Sequence, residues 1–400
     1  KLIDRDALCR MADQLAASTS GNVHSVLVAR RGTLLFERYF SCPDEVNNRK
    51  VENVTFDVGT LHDMKSVSKS VASLVVGTAS DRGLIRSVDE PILSFFPELS
   101  ALRSPEKDRL QLAHALTMSL GLKWVEATPS NNYDNDEVRM QMARDPCRYV
   151  LGLPVVSSAG QEFFYNTGAL TLVSAIVHKA TGRPLDEFAR QTLFEPLGIT
   201  AVEWKRVRGD SDAGGGLRLR PRDMAKIGQL VLAGGRWNDR QVVSKTWIET
   251  STAPKLKATN DQSYGYLWWL GRARLNGREV PWVGALGRGC EVFGHSRISY
   301  EGESMCIKFM NLSTVVSTST RKRPPYSELV DQRRIAGFAS SQNCTVWATQ
   351  YTAKSTTTAN SPRRTSGMPV TATRSTPPSL RASTATRPTR TTAIPIATTR

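Results

Sequence analysis

HDMKSVSKSVASLVVGTASDRGLI, residues 62–85, decides the reading of this chain. Val67, Val71, Leu74 and Val75 recur at helical spacing, which predicts a helix that starts near Ser66 and stops at Gly83. Inside it, Ser66-Val67-Ser68-Lys69 has the spacing S-x-x-K. Side chains three apart share a helix face, so the Lys69 amine reaches the Ser66 hydroxyl. A serine hydroxyl is a poor nucleophile until a base takes its proton. Lysine is such a base only where burial or a nearby cation lowers its pKa from about 10.4. The helix N-terminus adds free N–H groups and a positive field for a developing oxyanion. The competing reading is a serine that caps the helix and a solvated lysine.

The motif alone is weak, because Ser104-Pro105-Glu106-Lys107 and Ser319-Thr320-Arg321-Lys322 match it too. Context separates them. Ser104 precedes a proline in a charged loop and Ser319 lies beside the chain's last, biased segment. Only Ser66 opens an apolar helix.

Upstream, Val23–Arg30 and Thr33–Phe40 flank Arg31-Gly32 and read as a hairpin. Downstream, residues 86–204 read as mainly helical, with apolar faces over Leu170–Lys179 and Leu185–Leu193 between Gly or Pro breakers. Pro221–Leu232 is a further amphipathic helix with proline in its first turn. Tyr264–Leu270 and Glu279–Val283 read as strands. From 341 to 400 there is no Asp or Glu, and 24 of the 60 residues are Ser or Thr. Such a segment buries too little apolar surface to offset its ordering entropy, so 316–400 is expected to be a disordered, low-complexity tail.

That tail also explains the net charge of +16. Residues 321–400 hold 13 of the 53 Lys and Arg but 2 of the 37 Asp and Glu, leaving 40 basic against 35 acidic residues before them. A nucleic-acid binder acting through the tail is the rival from another class, and the tail's lack of interleaved aromatics argues against it. Six cysteines are scattered without a CxxC pair, and read as isolated reduced thiols. His24, His62, His114, His178 and His295 lack metal spacing, so no metal or other cofactor is expected. No G-x-S-x-G elbow supports a Ser-His-Asp triad. Gly214-Gly215-Gly216 lacks the Lys-Ser/Thr of a phosphate loop and reads as a flexible turn. Trp268-Trp269 either packs or lines a cleft. No apolar run approaches the roughly 18 residues of a membrane span, so no membrane is expected. Lys1–Arg5 is not a signal peptide; cytoplasmic and, after removal of a leader, periplasmic or secreted locations both stay open. The oligomeric state is not legible.

Residues 62–85 resemble the nucleophile helix of class C β-lactamases and penicillin-binding proteins, a family with D-alanyl-D-alanine carboxypeptidases, esterases and 6-aminohexanoate-dimer hydrolases. The family's second motif, in its relaxed form Y-x-[NST], is matched by Tyr165-Asn166-Thr167 within GQEFFYNTGALTLVSAIVHKATGRPLDEFARQTLFEPLGI. LTMSLGLKW (116–124) and GLRLRPRDMAKIGQLVLAGGRW (216–237) are similar in character, and the likeness covers roughly 20–290. It implies that Tyr165 shares protons with Lys69, and it puts Asn166 among the substrate-binding residues; the plainer reading makes Asn166 a helix cap. The third motif, K-T-G or H-x-G, has its best counterpart in Arg288-Gly289-Cys290. There a cation would hold a carboxylate, with the Glu291 N–H as second oxyanion donor beside that of Ser66.

The family then needs further strands and a terminal helix, whereas this chain turns to Arg-, Thr- and Pro-rich sequence. That change is the mark expected of a shifted reading frame or gene boundary near 292, which would leave the sheet without its last elements.

The resemblance therefore implies a β-lactamase-like (transpeptidase) α+β/α composite. An antiparallel sheet flanked by helices comes from 1–85 and 205–315, and a mainly helical region, 86–204, is inserted. The activity implied is hydrolysis of a small-molecule ester or amide through an acyl-enzyme; the alternative is a catalytically impaired, acyl-trapping penicillin-binding protein.

Overall fold

A computed structural model of the chain describes residues 5–17, 23–30, 32–46, 49–126, 134–275, 278–287, 291–296 and 305–309. The tail reading over 316–400 lies outside them. After helix α1 (Arg5–Ala16), β1 (Ser25–Arg30) and β2 (Thr33–Tyr39) form the expected hairpin, with Gly32 at φ +77° in its turn. A second hairpin follows, β3 (Ser41–Val46) with β4 (Arg49–Thr55), then the short strand β5 (His62–Asp63).

Among the described residues the main sheet has eight strands, antiparallel throughout. Their order is Leu256–Lys257, Gln262–Tyr264, Trp269–Leu275, Arg278–Gly287, Glu291–Ser296, Met305–Phe309, β1, β2. The backbone of 305–309 lies between 291–296 and β1, pairing Val26 with Phe309. The sheet therefore continues past 292, while the terminal helix of the family pattern falls outside the described residues. Val292, Phe293, Ile307 and Phe309 supply enough β-forming residues for both segments to join the ladder.

Against this sheet lies α2 (Val67–Asp81), every residue of which from Val67 to Ala79 is buried. Apolar and small residues all round make this a core helix rather than a surface one. At Gly77 a Cβ would stand 2.3 Å from the Trp247 ring, so glycine is what lets α9 (Lys245–Ser251) lie directly on α2. Arg82 caps the helix and Gly83, at φ +70°, turns the chain away.

The segment between carries α3 (Leu112–Leu116), α4 (Asp136–Met142), α5 (Pro146–Gly152), α6 (Gly168–Thr181) and α7 (Leu185–Ala189), with 3-10 turns before α3 and after α7. The helix read over Leu185–Leu193 changes to a π turn at Arg190–Phe194. After it, α8 covers Pro221–Leu232, the bounds read from the sequence.

Tyr264–Leu270 is not one strand. Gly265–Trp268 leaves the sheet, with Leu267 at φ +64°, because its backbone is committed elsewhere: Tyr266 N–H donates to Ser251 O (2.8 Å) and Leu267 N–H to Leu116 O (2.8 Å). Leu267 O in turn accepts from Ser70 Oγ at 2.6 Å. The detour fastens the sheet to α2, one residue beyond Lys69.

Candidate active site

Ser66 stands at the start of α2, and the chain enters it under strain. Lys65 has φ +45°, the left-handed region, which costs a non-glycine residue roughly 1–2 kcal/mol. Its ammonium is held by Glu45 of β3 (2.8 Å) and Asp63 of β5 (3.3 Å). Asp63 also accepts from Arg218 Nε at 2.8 Å, and Arg218 reaches on to Leu61 O and Glu203. The backbone adds Met64 N–H to Leu217 O, 2.8 Å. Ion pairs and ladder bonds thus fix the turn that presents the hydroxyl.

Lys69 is 2% exposed, and its Nζ donates to Ser66 Oγ at 2.9 Å and to Gly214 O at 2.6 Å. The plainer reading of a solvated lysine is thereby replaced. Burial pushes the Lys69 ammonium below its ordinary pKa, opposed by the negative charges of Glu126, Glu137 and Asp212. The Tyr165 ring centroid lies 5.1 Å from Lys69 Nζ, and Ser66 works against burial on the Tyr165 phenol, lowering its pKa. Burial, then Glu126, raise the phenol well above its usual range, so Tyr165 is a proton donor, not a phenolate, in the resting site. Trp269 stacks on Tyr165 (6.4 Å between centroids), with Phe163 and Tyr264 around it. Of the tryptophan pair, Trp268 packs and Trp269 backs the phenol.

The structure thus brings Ser66, Lys69 and Tyr165 together. It gives Asn166 a capping part: its side-chain oxygen accepts the Ala169 N–H of α6 at 3.2 Å, and the residue is 2% exposed. Arg288, Gly289 and Cys290 lie outside the described residues. For Glu291 the backbone alone is described, paired with Gly287.

Several residues at the site escape the sequence reading. Gly287 ends its strand against the nucleophile: a Cβ there would stand 3.0 Å from Met64 O and 3.3 Å from Ser66 N. The Gly214–Gly216 run is no loose turn, since a Cβ on Gly214 would meet Thr167 Cγ2 at 2.5 Å and one on Gly216 would meet Asp212 Cβ at 2.8 Å. Glycine is needed there so that the Gly214 carbonyl can approach Lys69. Only a glycine run amid apolar residues hints at this. A cavity of about 770 Å³ opens beside α4 and α5 and is bounded by Asp212, but none of Ser66, Lys69 and Tyr165 lines it. Among the described residues, no cluster of His, Cys, Asp or Glu could hold a metal ion, and no helix is long and apolar enough to cross a membrane.

A serine on a buried helix, bonded to a buried lysine and flanked by a phenol, is the arrangement the resemblance implies, and the Beta-lactamase family profile matches residues 10–337. The chain belongs to the beta-lactamase family. Relatives include acyltransferase mokF of Monascus pilosus, 25% identical over 48% of this chain and 50% of its own length. The 6-aminohexanoate-dimer hydrolase of Paenarthrobacter ureafaciens is 27% identical over 52% and 57%. Esterase EstB of Burkholderia gladioli is 26% identical over 43% and 44%. The chain spans about half the length of the curated relatives it matches. Among solved structures, the octameric penicillin-binding protein homologue from Pyrococcus abyssi aligns with TM-score 0.58 at 19% identity, covering 77% of this chain and 74% of that one. The penicillin binding protein from Bacillus halodurans gives 0.54 at 14%, covering 77% and 96%. These likenesses establish the β-lactamase-like fold.

Proposed function

We propose that this member of the beta-lactamase family is a serine hydrolase that cleaves small ester or amide substrates through a covalent acyl-enzyme. The observation that carries the reading is the 2.9 Å bond between the buried Lys69 amine and Ser66 Oγ, with the Tyr165 ring centroid 5.1 Å from the same amine. Relatives named as an acyltransferase, an esterase and an amide-dimer hydrolase share acyl transfer as their common chemistry.

Ser66 Oγ bonds to the substrate carbonyl carbon as its proton passes to neutral Lys69. The Ser66 N–H meets the oxyanion, with a second donor from the chain that follows Gly287, for which Glu291 is the expected residue. The C–O or C–N bond then breaks, and the leaving group takes a proton from the Lys69–Tyr165 pair. Water next bonds to the acyl carbon, gives up a proton to that pair, and releases Ser66 with its proton restored. The aromatic wall of Phe163, Tyr165, Tyr264 and Trp269 favours an apolar acyl or alcohol group.

A fluorophosphonate probe tests the assignment, with the adduct mapped by mass spectrometry and p-nitrophenyl ester turnover measured alongside. The expected result is an adduct on Ser66, and turnover that Ser66→Ala and Lys69→Ala each remove. Full turnover in Ser66→Ala would refute it. A persistent β-lactam adduct without ester turnover favours the acyl-trapping reading instead.

A further inference from the structure

Resting on that reading of the site, we infer that Glu126 is a positioning residue for the reaction, a carboxylate clamped so that its charge faces the Lys69 ammonium from the helical side. The clamp consists of three donors. Thr167 N–H reaches Oε2 at 2.8 Å, Thr167 Oγ1 reaches Oε1 at 3.0 Å, and the Trp124 indole N–H also donates to Oε2. Thr167 is two residues beyond Tyr165 and packs on Gly214, whose carbonyl accepts from Lys69. Glu126, Thr167, Gly214 and Lys69 therefore form one contiguous chain of contacts.

The clamp matters because charge-assisted bonds of this kind favour the ionised carboxylate and stop it from turning to solvent. Among the described residues, the charged groups that raise the Lys69 pKa are Glu126, Glu137 of α4 and Asp212 of the loop after Ser211, and Glu126 has the largest effect of the three. Burial lowers the Lys69 pKa, and Glu126 works against burial and favours the protonated amine. The carboxylate thus sets the acid side of the working pH range. It also keeps Tyr165 protonated.

Glu126→Gln removes the charge and spares the clamp. The amide oxygen still accepts from Thr167 N–H and Trp124, while the amide NH₂ donates to Thr167 Oγ1 in the reverse sense. The rate of fluorophosphonate labelling at Ser66 is measured against pH in wild type, Glu126→Gln, Glu137→Gln and Glu126→Asp. In Glu126→Gln the acid limb moves about one unit to lower pH, so labelling one unit below the wild-type midpoint rises about fivefold. The limb moves less in Glu137→Gln and stays in place in Glu126→Asp. The midpoint belongs to the coupled Lys69–Tyr165 pair, so the shift is read for the pair. Thr167→Val, which loosens the clamp without touching residue 126, is the second variant; its limb moves the same way by less.

Limbs that coincide between wild type and Glu126→Gln, with or without a lower plateau, reduce Glu126 to a structural tie and overturn the inference alone. A wild-type chain that takes up no probe on Ser66 at any pH overturns the reading of the site as well.

Discussion

Lys69 is held by two opposed effects, and both leave a measurable trace. A lysine whose folded pKa lies below its unfolded 10.5 binds fewer protons folded than unfolded between those two values. Stability therefore rises with pH through that window. The melting temperature of wild type minus that of Lys69→Met is expected to climb as the pH rises toward 10.5; a flat difference would show that burial does not depress the amine. Gly287 makes a steric prediction. In Gly287→Val the side chain enters the space beside Ser66 N, so probe labelling falls at least tenfold while the melting temperature stays near wild type. The nearness of Lys69 to Ser66 is legible from local spacing, and that of Tyr165 only through the family resemblance. Lys65, Glu126, Gly214 and Gly287 are not legible, since each matters through an approach between segments distant in sequence.

Elements repeat the lesson at larger size. The bounds of α8 are readable from Pro221 and an amphipathic run, whereas Gly265–Trp268 breaks an apparent strand because Ser251, Leu116 and Ser70 claim its backbone. In α2, Leu74 is fully buried, and Leu74→Ala is expected to cost about 2–5 kcal/mol in denaturant unfolding. A second prediction concerns the junction of β1, β3 and β5. His24, 1% exposed, stacks on Phe56, meets His62 at 3.1 Å, bonds Pro43 O at 3.2 Å and lies 3.9 Å from Asp44. Burial lowers its pKa from 6.5 to about 4. The unfolded chain takes up this proton first, so stability is lost as pH falls from 6.5 toward 4, by about 3 kcal/mol at the lower end. His24→Gln should flatten that part of the stability–pH curve; an unchanged slope would place the acid sensitivity elsewhere.

For the whole molecule, the sequence suggests a chain whose sheet lacks its end, and the described strands pair segments about 280 residues apart, 26–30 with 305–309. Composition cannot reveal this, because register between 25–30 and 305–309 is set by pairing rather than by either segment alone. A chain cut after Tyr300 removes the neighbour on which both β1 and 291–296 depend, so it is expected to melt well below the full chain, or to remain insoluble. Equal melting of the two would show that the 305–309 strand contributes little.

The meeting of Val26 with Phe309 has a consequence for birth as well as for stability. A ribosome delivers β1 and β2 and must then translate the more than 260 residues between Tyr39 and Met305 before the third partner emerges. At about 5–20 residues per second that interval is roughly 15–60 s, during which one flank of β1 offers unpaired amides and carbonyls to any passing strand. Nascent chains of this protein should therefore be clients of holding chaperones until the codon for Phe309 has been read and its residue has cleared the exit tunnel.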